Sequence, residues 1–133
     1  MLKLKLSVIV FRDKDRRILL QFRDSGAPST PLGFSLFGGL AEGDETPEQA
    51  IVREVKEELE MDIDAADVVL LAEDPWEGRL GEKTVYFFEY SKPVDWRDFA
   101  VCEGGGAAFM TKEEVAAATA VDEFAKYFVG KYC

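Results

Sequence analysis

Glu45, Arg53, Glu54, Glu57 and Glu58 stand within fourteen positions of one another and are the residues of this chain best suited to chemistry. On a helix turning about 100° per residue, Glu54, Glu57 and Glu58 share an arc of roughly 100°. Ile51, Val55 and Leu59 lie beside that arc, so the acids border a buried face, while Lys56 falls on the far side. Like charges three or four positions apart destabilise an isolated helix by about 0.2–0.5 kcal/mol per pair. A helix that keeps such pairs with no lysine on the same side suggests an external cation. Clustered carboxylates suit Mg2+ or Mn2+, hard ions that also coordinate phosphate oxygens. A plainly solvated acidic helix has the same composition, and the helix alone leaves both readings open. Arg53 can hold the acids through forked hydrogen bonds, or form an ordinary surface ion pair. Gly38 and Gly39 precede the helix and let the backbone approach a ligand, or simply turn.

The rest of the composition narrows the chemistry. The chain has 133 residues, 26 Asp+Glu against 16 Lys+Arg, and a formal net charge of −10. Such a surface repels DNA, RNA and anionic lipid, so no polymeric nucleic acid and no membrane is expected as a partner. A small phosphorylated ligand remains compatible if a cation bridges it to the acids. With no histidine, Ser-His-Asp and Cys-His catalysis and His-ligated zinc are excluded. Cys102 and Cys133 alone make neither a disulfide framework nor a thiolate metal site. The first residues, MLKLKLSVIVF, do not read as a signal peptide, no apolar run is long enough to span a bilayer, and a reducing cytoplasm is the expected location.

These residues must be positioned by a framework, and the pattern gives one domain over residues 1–133. Apolar alternation predicts a strand over 2–11, a charged turn over 12–17, and a second strand over 18–23 as its hairpin partner. Residues 25–33 carry two prolines and two glycines and form a loop. Residues 34–37 form a short strand broken by Gly38 and Gly39. Thr46, Pro47 and Gln49 spell a capping box at the start of a helix over 46–60. Strands follow over 68–72 and 84–90, separated by a polar loop, then a short strand over 107–110. One closing helix runs from a Thr111–Glu114 cap to about 129. Strands, helix, strands, helix predict an α/β fold: a mixed β-sheet between helices.

Residues 39–61 resemble the Nudix box. Gly39, five residues, Glu45, seven residues, then Arg53, Glu54, Val55, Glu57, Glu58 and Met61 match at every spacing. The one departure is Glu60, where the box carries a second glycine. That position ends the helix, so Glu60 changes the turn at a conformational cost without removing a ligand.

The resemblance implies a Nudix-like α/β/α sandwich and an Mg2+- or Mn2+-dependent pyrophosphohydrolase. Its substrate would be a nucleoside diphosphate linked to another moiety, such as a nucleoside triphosphate or nucleotide sugar. Glu54, Glu57 and Glu58 would then be metal ligands, joined by the Gly39 carbonyl, with Glu45 and Arg53 as the orienting pair. Glu57 is the candidate base, ahead of Glu54 and Glu58. Glu103, in the segment 101–104, resembles the further acid that many members supply, as a metal ligand or base. Arg23 resembles a substrate-side arginine that grips a phosphate, and Gly38 and Gly39 would border the same substrate. Phe34, Trp76 and Tyr86 are candidates to stack on a base, or plain core aromatics. Specificity would sit in residues 25–33, 73–82 and 103–106, and a homodimer is compatible with the family. A non-catalytic nucleotide-sensing or partner-binding domain of the same fold is the alternative.

Overall fold

The structure, a computed structural model, describes residues 4–23, 32–78, 81–102 and 104–133. Among the described residues, seven strands divide into two sheets. β1 (Leu4–Val10), β4 (Phe37–Leu40), β5 (Val68–Gly78) and β6 (Gly81–Tyr90) form a four-stranded sheet in the order β4-β1-β6-β5. In it β1 runs parallel to β6 and antiparallel to β4, so this sheet is mixed. β2 (Ile18–Phe22), β3 (Phe34–Ser35) and β7 (Gly106–Met110) form an antiparallel sheet in the order β3-β2-β7. Helix α1 (Pro47–Leu59) covers one face, and α2 (Lys112–Ala117) and α3 (Glu123–Tyr132) the other.

β1 shows why there are two cores. Its successive side chains point to opposite faces, and both are apolar near its end. Val8 and Val10 pack with Phe87, Ala125 and Phe128 under α3. Ile9 and Phe11 pack with Phe37, Ile51, Val55 and Phe88 under α1. Fully burying each such side chain stabilises the fold by about 1.5–3 kcal/mol, as an upper estimate.

Four sequence expectations need correction. β1 and β2 are not hairpin partners but lie in different sheets, with an isolated bridge between Arg12 and Ile18 and the Leu19 amide donating to the Phe11 carbonyl where the chain passes from one to the other. Buried Asp13 organises the turn between them: its carboxylate accepts the Asp15 and Arg17 amides and Arg17 Nε at 2.7 Å. The strand expected over 34–37 is two strands in two sheets, and Gly38 and Gly39 do not break β4 but pair within it with Val8 and Ser7. The polar stretch 73–82 is mostly strand, because β5 and β6 form one long hairpin. Pro75 is tolerated there because β5 is an edge strand, where an outward N–H is not required. The closing helix is two helices. Phe34 breaks it by donating its amide to the Ala120 carbonyl and accepting from the Asp122 amide, and Asp122 then caps α3 at Ala125. Among the described residues, no helix is long and apolar enough to cross a membrane.

Candidate active site on helix α1

The capping box read from the sequence starts α1 as expected: Thr46 Oγ1 accepts the Gln49 amide and Gln49 Oε1 accepts the Thr46 amide. Ser7, buried on β1, donates its hydroxyl to the Pro47 carbonyl at 2.9 Å and ties the helix start to the sheet. Ile51, Val55 and Leu59 face the core. The acids flank this stripe, and their exposure is graded: Glu58 is 4% exposed, whereas the side chains of Glu54 and Glu57 are 16% and 51% exposed.

Arg53 is the hub. Its Nε and Nη2 fork onto the two Glu45 oxygens at 2.8 and 3.0 Å. Nη1 reaches Glu54 at 3.0 Å and Glu57 at 3.2 Å, and Nη2 also donates to the Leu40 carbonyl at 3.1 Å. The acid cluster therefore has an internal counter-charge, which the position of Lys56 does not reveal. Lys56 itself pairs with Asp62 at 3.1 Å. One guanidinium against the four carboxylates Glu45, Glu54, Glu57 and Glu58 still leaves a surplus of three negative charges. The Glu45 carboxyl is held below the usual glutamate range, first by the Arg53 hydrogen bond and then by the Glu42 amide, which donates at 2.8 Å. The Arg53 guanidinium is raised further above its already high value, chiefly by Glu45.

The two glycines have steric explanations. A side chain on Gly38 would overlap the Ser7 carbonyl of β1, and its φ of 151° is one that L side chains rarely adopt. Its amide donates to buried Glu58 Oε1 at 3.0 Å. A Cβ on Gly39 would overlap the Glu54 carboxylate. What approaches the backbone at these two positions of β4 is thus β1 on one side and two box carboxylates on the other.

Gly38 and the box residues Gly39, Glu45, Arg53, Glu54, Glu57 and Glu58 are brought together by these contacts. Among the described residues, however, no three acids or cysteines converge as a finished metal cage. Arg53 draws Glu54 and Glu57 to itself while the Gly38 amide holds Glu58. The donor set fits a hard divalent cation all the same: carboxylate oxygens on one helix flank beside a glycine whose missing side chain leaves room for Glu54.

Arg23 stands at the end of β2, in the other sheet, with its Nη1 3.5 Å from Gln21 Oε1 and its backbone paired with Leu32 and Gly33. Glu103 and residues 24–31 lie outside the described residues. Of the stacking candidates, Phe34 pairs with Phe22 at 5.0 Å beside Arg23. Trp76 packs against Phe124, Tyr127 and Phe128 of α3. Tyr86 lies under α1, where burial and then its hydrogen bond to Glu73 raise its pKa. The last two are partly buried and pack against the two cores. Sequence reasoning missed the backbone contributors, namely the Leu40 carbonyl on Arg53, the Glu42 amide on Glu45 and the Cys102 amide on the Glu58 carbonyl at 2.9 Å. No residue type signals a main-chain donor.

Comparison with known proteins gives the family and the fold. A family model described as NUDIX domain matches residues 1–130. Among curated proteins no sequence matches the chain. Solved structures share the fold. The MutT protein from Methanosarcina mazei Go1 superposes with a TM-score of 0.84 at 16% identity, over 98% of this chain and 92% of that one. A MutT NUDIX hydrolase from Burkholderia pseudomallei gives 0.79 at 16% identity, over 100% of both. The E. coli dihydroneopterin triphosphate pyrophosphohydrolase gives 0.71 at 20% identity, over 94% of both.

Proposed function

The chain belongs to the Nudix family of pyrophosphate-bond hydrolases, and from that premise we propose that it hydrolyses a small nucleoside diphosphate derivative, a nucleoside triphosphate or a nucleotide sugar, with Mg2+ or Mn2+. The observation that carries this reading is the Arg53 hub. One guanidinium organises Glu45, Glu54 and Glu57 beside Gly39, with Glu58 fixed from the next strand. Such a cluster keeps excess negative charge at one place, which a solvated surface helix has no reason to do.

Glu54, Glu57 and Glu58 would hold the cation, with the Gly39 carbonyl. When bound, a divalent ion neutralises charge on the diphosphate and makes water a better nucleophile. The protein's own groups do the rest. Glu57, the most exposed of the three, takes the proton from the attacking water. Arg53 keeps Glu54 and Glu57 from swinging apart, and its fork onto Glu45 fixes the guanidinium itself. Arg23 at the end of β2 grips a phosphate, with Phe34 beside it as the aromatic face for a base. Glu103 supplies a further carboxylate from the segment after Cys102.

The test is a substrate panel with Mg2+: nucleoside triphosphates, dinucleotides, nucleotide sugars and a pterin triphosphate, the last because one structural neighbour is named for it. Turnover on at least one, lost in Glu57→Gln, supports the reading. No turnover on any, with nucleotide still bound, supports a sensing domain instead.

A further inference from the structure

The acids stand on α1 and Arg23 stands at the end of β2, and the described residues between Phe99 and β7 bond to both elements. These residues use main-chain bonds on both sides. The Ala100 amide donates to the Leu59 carbonyl and the Cys102 amide to the Glu58 carbonyl, both at 2.9 Å. These are carbonyls of the last turn of α1, which have no partner within the helix. On the other side the Gly105 amide donates to the Phe22 carbonyl at 2.8 Å. The same helix turn carries Glu58, whose carboxylate is pinned to Gly38, and Phe22 directly precedes Arg23.

Closure on β2 demands glycine. Gly104 has φ +79°, and a Cβ there would lie 2.5 Å from the Phe22 carbonyl oxygen and 3.4 Å from Gln21 Nε2. A Cβ on Gly105 would lie 2.8 Å from the Phe22 ring. Gln21 is 3% exposed, and its Oε1 lies 3.5 Å from Arg23 Nη1, so the side chain that a residue larger than glycine at 104 would meet is also one that the guanidinium reaches.

We propose that Gly104 and Gly105 are positioning residues for the hydrolysis: by seating their segment on Gln21 and Phe22, they set where Arg23 stands relative to the carboxylates of α1. The inference rests on the function proposed above. The glycines touch no substrate and act through Gln21, Phe22 and Arg23. A side chain at 105 lifts the segment off β2, turns the Phe22 ring, and shifts the phosphate grip while leaving the acids on their helix.

The experiment uses Gly105→Ala, whose methyl meets only a movable ring, and the double variant Phe22→Ala/Gly105→Ala, which restores the space. Thermal melting, calorimetric binding of inorganic pyrophosphate with Mg2+, steady-state kinetics on the best panel substrate, and amide exchange at Ala100 and Cys102 are measured in each. Gly105→Ala is expected to fold, to bind pyrophosphate about tenfold more weakly, and to raise KM by a similar factor with kcat within about threefold. The double variant recovers affinity to within about twofold of the native protein. Unchanged affinity and KM in folded Gly105→Ala overturn the inference, as does a double variant that folds without recovery. If Gly105→Ala does not fold, the double variant decides: native affinity supports the proposal and a loss equal to that of Arg23→Ala overturns it. A native protein that protects both amides yet neither binds pyrophosphate nor turns over any substrate removes the reading of the site, and this inference with it.

Discussion

The residue that organises the site is Arg53. Five donors in a rigid fork let it hold Glu45 with two bonds and still reach Glu54, Glu57 and the Leu40 carbonyl. A lysine keeps the charge but has no fork. Arg53→Lys is therefore expected to fold, as circular dichroism would show, and to lower kcat/KM by about 10–100-fold, the usual cost of losing an outer-shell partner. Activity within about twofold of native would show that charge alone suffices at this position. Glu57→Gln removes the proton acceptor and keeps the shape. Turnover should fall by about 10²–10⁴-fold with an unchanged melting temperature. Full activity would take Glu57 out of the mechanism. At this scale the sequence was highly legible, because fixed spacing on a helix dictates which side chains share a flank. It left open whether Arg53 holds the acids or forms an ordinary surface ion pair, since Arg53 lies one position off the arc and reaches it only through its length.

At the scale of elements, α1 was legible from end to end and β5 was not. The helix announces itself by its Thr46–Gln49 box, its apolar stripe and its stop at Glu60. Glu60 adopts φ 51° and ψ 32°, the left-handed conformation that glycine holds without a Cβ penalty. Glu60→Gly should raise stability by roughly 0.5–1 kcal/mol in chemical denaturation, net of the extra freedom glycine gives the unfolded chain. A loss of stability would mean that the Glu60 side chain contributes something its exposed position does not suggest. In contrast, the second half of β5 contains Glu73, Asp74, Pro75 and Glu77, all poor strand formers, and reads as loop after a strand over 68–72. It is a strand because β6 and the packing of Trp76 on α3 override local preference. Asp74 adds a lock, accepting hydrogen bonds from Tyr127 and Tyr132 across to the last helix. The assignment of β1 and β2 to separate sheets was likewise invisible, since a charged turn of six residues fits a hairpin equally well.

For the whole molecule, the absence of histidine and the surplus of acids set the response to pH. Asp13, Glu45, Asp74, Asp95 and Glu114 all have folded pKa values below their usual range. In Asp13, burial opposes the shift and the Arg17 contacts outweigh it; in Glu45, Asp74 and Asp95, hydrogen bonds from Arg53, Tyr132 and Arg97 lead; in Glu114, the Thr111 amide leads. A depressed carboxylate contributes stability that is present above its unfolded pKa and lost as pH falls through the folded one. No histidine titrates in the neutral range. Stability should therefore be nearly flat between about pH 6 and 8 and fall below the ordinary carboxylate range, as chemical denaturation at each pH would record. A stability that rises as pH drops toward 4 would mean that relief of charge repulsion outweighs these pairs. The net charge of −10 also explains why a cation belongs in the account at all: an anionic diphosphate meets a repulsive surface unless the acids of α1 carry a counter-ion.

The most direct test is a crystal of the protein grown with Mn2+ and read by anomalous scattering. A peak is expected among Glu54, Glu57 and Glu58 beside the Gly39 carbonyl, with at least one of Glu54 and Glu57 turned away from Arg53 to reach it. Carboxylates still paired with Arg53, and no anomalous peak on this flank of α1 at saturating Mn2+, would contradict it.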